Sequence, residues 1–102
     1  MIYTETVELK ITIHKKAFQA LKKAPPPVQR KAFEWVQLIQ AKGLAATRQL
    51  PGFHDEPLSG KLQGQRSIRL NKQWRLFYTE QLEAEKTVLH ITIIEVNAHE
   101  YR

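Results

Sequence analysis

The sequence has no cysteine, which excludes both a disulfide framework and a thiolate metal site and fits a reducing compartment. It also lacks any apolar run approaching the roughly 20 residues that a spanning helix requires. The opening residues Met1-Ile2-Tyr3-Thr4-Glu5-Thr6 have neither the basic start nor the apolar centre of a signal peptide, so a soluble, unexported, cytoplasmic protein without a membrane partner is expected. Glycine is scarce, with four in the chain, and no phosphate-cradling loop, dinucleotide fingerprint or nucleophile elbow occurs. His14, His54 and His90 show no metal-ligand spacing, and His90, inside an apolar run, reads as a satisfied strand histidine. No metal site and no cofactor is expected. Repeats and low-complexity tracts are absent.

What the chain does have is positive charge. Sixteen Lys and Arg against ten Asp and Glu give a net charge of +6, so the surface should attract a polyanion or an acidic protein. The 102 residues supply one core and not two, and a single domain over residues 1–102 follows.

Hydrophobic periodicity orders the elements. Val7, Leu9, Ile11 and Ile13 alternate with polar residues, the pattern of a strand with one buried face. Lys15 to Lys23 carries Ala17, Phe18 and Leu21 on one helical stripe before Pro25-Pro26-Pro27, where missing amide donors stop a helix. A second helix starts at this corner, with Val28, Ala32, Trp35, Val36 and Ile39 at three- and four-residue spacing and Gly43 as its left-handed cap. Residues 43 to 64 hold Pro51-Gly52, Pro57 and Ser59-Gly60 and read as a long ordered loop, a place to look for site residues.

Arg66 to Leu70 and Trp74 to Thr79 form a hairpin. Ile68, Leu70, Trp74, Leu76 and Tyr78 share a buried face only if Leu70 lies opposite Trp74, leaving Asn71-Lys72-Gln73 as a three-residue loop. Glu80 to Lys86 turns the chain. Val88 to Val96 is apolar on both alternations apart from His90, Thr92 and Glu95, as expected of an inner strand covered on both sides. Strand, helix, helix and three strands make an α+β fold: two helices, an N-terminal helical hairpin, packed on one face of a mainly antiparallel sheet of about four strands.

The same register sets Arg69 opposite Arg75 on the other face, beside Ser67 and Phe77. Directly opposed like charges are destabilising unless both side chains splay into solvent or an anion sits between them. A guanidinium pair beside an aromatic suits a phosphate and a stacked base, which favours the anion. Glu56 lies in the long loop; His99 and Tyr101 lie in the polar tail. Taken singly, each is an ordinary surface residue. If loop and tail converge on the arginines, the set holds a carboxylate, an imidazole, a phenol and a guanidinium, which are the parts for metal-free RNA cleavage. Lys61 and Arg66, near Arg69, extend the basic surface toward a phosphate-tracking path or are ordinary solvated charge.

The stretch Glu56-Pro57-Leu58-Ser59-Gly60-Lys61-Leu62-Gln63-Gly64, followed by Arg66-Ser67-Ile68-Arg69-Leu70 and Trp74-Arg75-Leu76-Phe77-Tyr78, resembles the central signature of the RelE/ParE toxin superfamily of type II toxin-antitoxin systems. The resemblance spans nearly the whole chain and is strongest to the YoeB/HigB branch. It implies a RelE/ParE-like, microbial-RNase-like fold and a ribosome-dependent mRNA endonuclease. In that activity Glu56 is the general base, Arg75 the transition-state clamp, His99 the general acid and Tyr101 an orienting or base-stacking group. Arg69 would support phosphate, with Lys61, Arg66 and Phe77 in RNA binding. In related tails histidine and tyrosine are often adjacent, whereas Glu100 separates them here. The implied partners are a cognate antitoxin, the ribosome with its mRNA and, through the toxin-antitoxin complex, operator DNA. The alternatives are a ParE-like gyrase inhibitor that does no chemistry and an idle member that only binds antitoxin and DNA.

Overall fold

The computed structural model describes residues 8–83, 85 and 87–98. Strand β1 (Glu8–Ile13) leads into helices α1 (Lys15–Lys23), α2 (Pro26–Lys42) and the short α3 (Leu44–Arg48). Strands β2 (Glu56–Pro57), β3 (Arg66–Arg69), β4 (Trp74–Glu83) and β5 (Val88–Ala98) complete one five-stranded sheet in the order β1-β5-β4-β3-β2. β1 runs parallel to β5, and the other neighbouring pairs are antiparallel.

The expected sheet of about four mainly antiparallel strands is therefore a mixed sheet of five, with three helices and with β1 ahead of the helical hairpin. Alternation in β1 reports which face is buried but not which strand lies alongside, so the parallel pairing leaves no local signal. β2 is too short to show a period, and its Pro57 is tolerated because on an edge strand the amide it lacks would face away from β3. The long loop is not structureless: it contains α3, two 3-10 turns (Pro51–Phe53 and Gly60–Leu62) and β2.

The proline corner forms as expected. Gln29 closes it by donating its side-chain amide to the carbonyls of Ala24 at 2.8 Å and Lys22 at 3.1 Å, which satisfies acceptors freed where α1 ends. α2 buries Val28, Ala32, Trp35 and Ile39, and Gly43, at a φ of 87° that glycine reaches without a Cβ clash, donates its amide to Ile39 O. Phe18 departs from the expected stripe. Ala17 and Leu21 pack toward the sheet, but Phe18 is 48% exposed under Lys22 Nζ.

The hairpin has the expected register, with Arg66 opposite Tyr78, Ile68 opposite Leu76 and Arg69 opposite Arg75. Leu70 N donates to Trp74 O, and Asn71 Oδ1 accepts from the amides of Gln73 and Trp74, closing the loop with its own side chain. Ile68, Leu70, Leu76 and Tyr78 are buried, whereas Trp74 is only partly so. The fully buried indole is Trp35, whose ring centroid lies 4.9 Å from that of Tyr78.

β4 continues to Glu83, beyond the expected end at Thr79. β5 is an inner strand, between β1 and β4, but is not covered on both sides. A bulge between Phe77 and Tyr78 shifts its register, pairing Phe77 with Glu95 and Tyr78 with Ile93, so Ile94 is the extra residue. Leu89, Ile91 and Ile93 point to the helices before the bulge, and Val96 does so after it. The apolar pair Ile93-Ile94 comes from this change of phase.

Candidate active site

The bulge also determines what stands on the open face of the sheet. Past Ile94 the odd-numbered residues of β5 face away from the helices, which sets Glu95 opposite Phe77 and Asn97 opposite Arg75. Two rows cross the strands there: Glu56, Ser67, Phe77 and Glu95, then Arg69, Arg75 and Asn97. Arg75 Nη1 lies 3.4 Å from Glu56 Oε1, and Arg75's side chain is 15% exposed against 58% for Glu56. The loop glutamate and the strand arginine, 19 residues apart, thus share one site. Arg69, half-buried across from Arg75, adds a second guanidinium.

Phe77 and Ser67 are buried on this face. Ser67 Oγ and Asn97 Oδ1 are buried without a hydrogen-bond partner among the described residues. Lys61 is exposed on the turn Gly60–Leu62 beyond β2. Arg66 does not join the group. It sits opposite Tyr78 on the helix side, where Nε donates to Asp55 Oδ1 at 2.7 Å. His99, Glu100 and Tyr101 lie outside the described residues. His90 Nε2 is 2.6 Å from Glu83 Oε1, a satisfied strand histidine.

A second polar cluster lies directly beneath the site, and periodicity offered no sign of it. Asp55, whose side chain is fully buried, accepts from Tyr78 Oη at 2.5 Å as well as from Arg66. Arg48 Nη2 donates to Tyr78 Oη at 3.2 Å and to Glu80 Oε1 at 2.7 Å, and its Nε is 3.8 Å from Asp55 Oδ2. Burial, and then the adjoining Asp55 carboxylate, raise the Tyr78 phenol above its ordinary range, so it stays protonated and donates. Among the described residues no group of three or more His, Asp or Glu is placed to hold a metal ion, and no helix is long and apolar enough to cross a membrane.

The α+β arrangement of a five-stranded mixed sheet and three helices matches solved bacterial and archaeal toxins. The chain carries the RelE/ParE toxin fold. A YoeB dimer from Staphylococcus aureus is similar at 26% identity and a TM-score of 0.63, covering 92% of this chain and 100% of that one. A YoeB/ParE toxin from Agrobacterium tumefaciens is similar at 14% identity and a TM-score of 0.65, covering 89% and 99%. RelE in the RelE-RelB complex from Pyrococcus horikoshii matches at 19% identity and a TM-score of 0.61, covering 94% and 100%. No family model matches the sequence, and neither does any curated protein. Within the RelE/ParE fold, the face bearing Glu56, Arg69 and Arg75 is the one left uncovered by helices.

Proposed function

We propose that the chain is the toxin of a type II toxin-antitoxin pair and a ribosome-dependent mRNA endonuclease of the YoeB/HigB kind. The observation that carries this reading is the Glu56–Arg75 pair at 3.4 Å on the open sheet face, with a second arginine opposite the first. Similarity to S. aureus YoeB, solved both as a dimer and with YefM, supports the toxin class and a cognate antitoxin as partner.

In the proposed reaction Glu56 takes the proton from a ribose 2′-hydroxyl. The freed oxygen attacks the adjacent phosphorus, the bond to the 5′-oxygen breaks, and a 2′,3′-cyclic phosphate is left. Arg75, with Arg69 behind it, stabilises the charge that develops on the phosphoryl oxygens. His99 protonates the departing 5′-oxygen, a role suited to an imidazole near neutral pH. In the sequence it stands two residues after Asn97, which lies opposite Arg75. Tyr101 orients or stacks on the substrate, and Phe77 and Lys61 contribute to RNA binding. The ribosome supplies the bent message, so much of the barrier is met by orientation.

Arg75→Ala is expected to abolish mRNA cleavage and relieve growth inhibition while the protein still folds, with at most a small fall in melting temperature from the lost Glu56 pair, because what it mainly removes is charge stabilisation on the open face. Primer extension on mRNA in a cell-free translation reaction measures the cleavage; a gyrase supercoiling assay run beside it tests the non-enzymatic alternative. Parent protein that inhibits supercoiling and leaves mRNA intact would overturn the reading.

A further inference from the structure

The Glu56 carboxylate rides on a two-residue edge strand, which alone is a weak support for a group that must be placed within a fraction of an ångström. Around β2 the backbone hydrogen bonds are few: beyond the two register pairs with β3, Leu58 N donates to Gln65 O. The neighbouring side chain compensates. Alternation sends Pro57 and Asp55 to the helix side while Glu56 faces the open side, and on the helix side Asp55 is fully buried. It is fastened to β4 through Tyr78 Oη at 2.5 Å and to β3 through Arg66 Nε at 2.7 Å. His54, just before it, adopts a left-handed conformation at φ 47° and ψ 51°, an uncommon backbone for a non-glycine residue, and it turns the chain into this anchor.

We propose that Asp55 is a positioning residue for Glu56: its buried, doubly held carboxylate locks β2 against β3 and β4 and so holds the Glu56 carboxylate at Arg75. This rests on the reading of Glu56 as the general base. Arg48, bound to Tyr78 and Glu80, ties the same anchor to α3. The cluster is therefore a brace between the helical layer and the catalytic edge. Its charges balance locally, with Asp55 and Glu80 facing Arg48 and Arg66.

The test is a double-mutant cycle in single-turnover cleavage on programmed ribosomes at saturating ribosome concentration. Asp55→Asn, which keeps the size and loses the charge, should slow cleavage on the order of 10- to 100-fold, as expected when a base is displaced by a fraction of an ångström to an ångström. Tyr78→Phe, which keeps the ring packed on Trp35, should slow it by about 3- to 10-fold on the same ground. Ribosome affinity should be unchanged in both. In a Glu56→Gln background neither change should slow the reaction further, because a residue that acts through Glu56 has nothing left to position. A merely structural role would lower the melting temperature and leave these rates and their coupling untouched. The proposal is overturned if Glu56→Gln is slow and the second substitution still costs its full factor, or if Asp55→Asn and Tyr78→Phe cleave like the parent. Should Asp55→Asn not fold, Tyr78→Phe decides by the same criteria. Glu56→Gln cleaving as fast as the parent would instead remove Glu56 as the base, and the positioning role with it.

Discussion

At the scale of single residues, the chemistry of the open face and the brace beneath it depend on opposite demands. In the proposed reaction Arg75 keeps its charge accessible to a phosphate, whereas Tyr78 keeps its proton inside the protein. Burial and the neighbouring Asp55 raise the Tyr78 phenol above its ordinary value, which has a consequence for stability. A group whose folded value is raised contributes stability that is fully present below its unfolded value, about 10 for tyrosine, and is lost as pH rises from there through the folded value. The difference in melting temperature between parent and Tyr78→Phe should hold constant to about pH 9 and shrink by about pH 11, because only the parent's unfolded state gains from ionising this phenol. Other titrating groups are common to both proteins and cancel. A difference that stays level through this range would mean that the hydroxyl is not held as described. Glu56, Arg69 and Arg75 stood out in the sequence because they lie within a motif and an alternating hairpin. Asp55 did not, since its partners come from α3, β3 and β4, and a loop aspartate beside a glutamate has no periodic signature.

At the scale of elements, the two tryptophans separate what patterning can convey from what it cannot. Trp74 belongs to the buried alternation of the hairpin, yet it stands at the turn end of β4, opposite Ala98, and is only partly covered. Trp35, in the middle of α2, is fully buried against Tyr78. Trp35→Ala should therefore cost about 3–5 kcal/mol of unfolding free energy and Trp74→Ala about half of that, since cavity cost follows burial. Chemical denaturation of both variants measures the difference, and equal losses would place the core nearer the hairpin turn. The hairpin register was legible because one slip would have thrown Arg69 in among the apolar set. The β4–β5 bulge was not. Its signal, apolar residues at both Ile93 and Ile94, was open to a simpler explanation as a strand covered on both faces. That phase change decides the site, because without it Asn97 would face the helices and Val96 the arginines. α3 and β2 escaped for a different reason: at five and two residues they are shorter than the windows in which periodicity can be counted.

For the molecule as a whole, the arginine pair and the exposed apolar groove lie on opposite faces, and the choice of the proposed antitoxin between them can be measured. The open face carries Arg69 and Arg75 over buried Phe77. On the helix side, α1, α2 and β1 border an apolar groove of about 780 Å³, walled by Phe18, 48% exposed, and Phe33, 63% exposed. An acidic antitoxin segment that covers the arginine face would gain most of its attraction from charges that salt screens, since the Debye length falls from roughly 14 Å at 0.05 M to about 4 Å at 0.5 M salt. Affinity should then fall by at least about 10-fold over that range, mainly through slower association, and RNA oligonucleotides should compete with the antitoxin. Arg69→Ala should flatten the salt dependence. An antitoxin that bound through the groove would behave in the opposite way, because apolar burial is little screened and the arginines would stay open to RNA. Calorimetric titration at several salt concentrations, with and without a short RNA, distinguishes the two. Binding that is insensitive to salt and indifferent to RNA would overturn the arginine-face assignment, and inhibition of the proposed activity would then have to act by bulk, keeping the protein from the ribosome while the arginine face remains exposed.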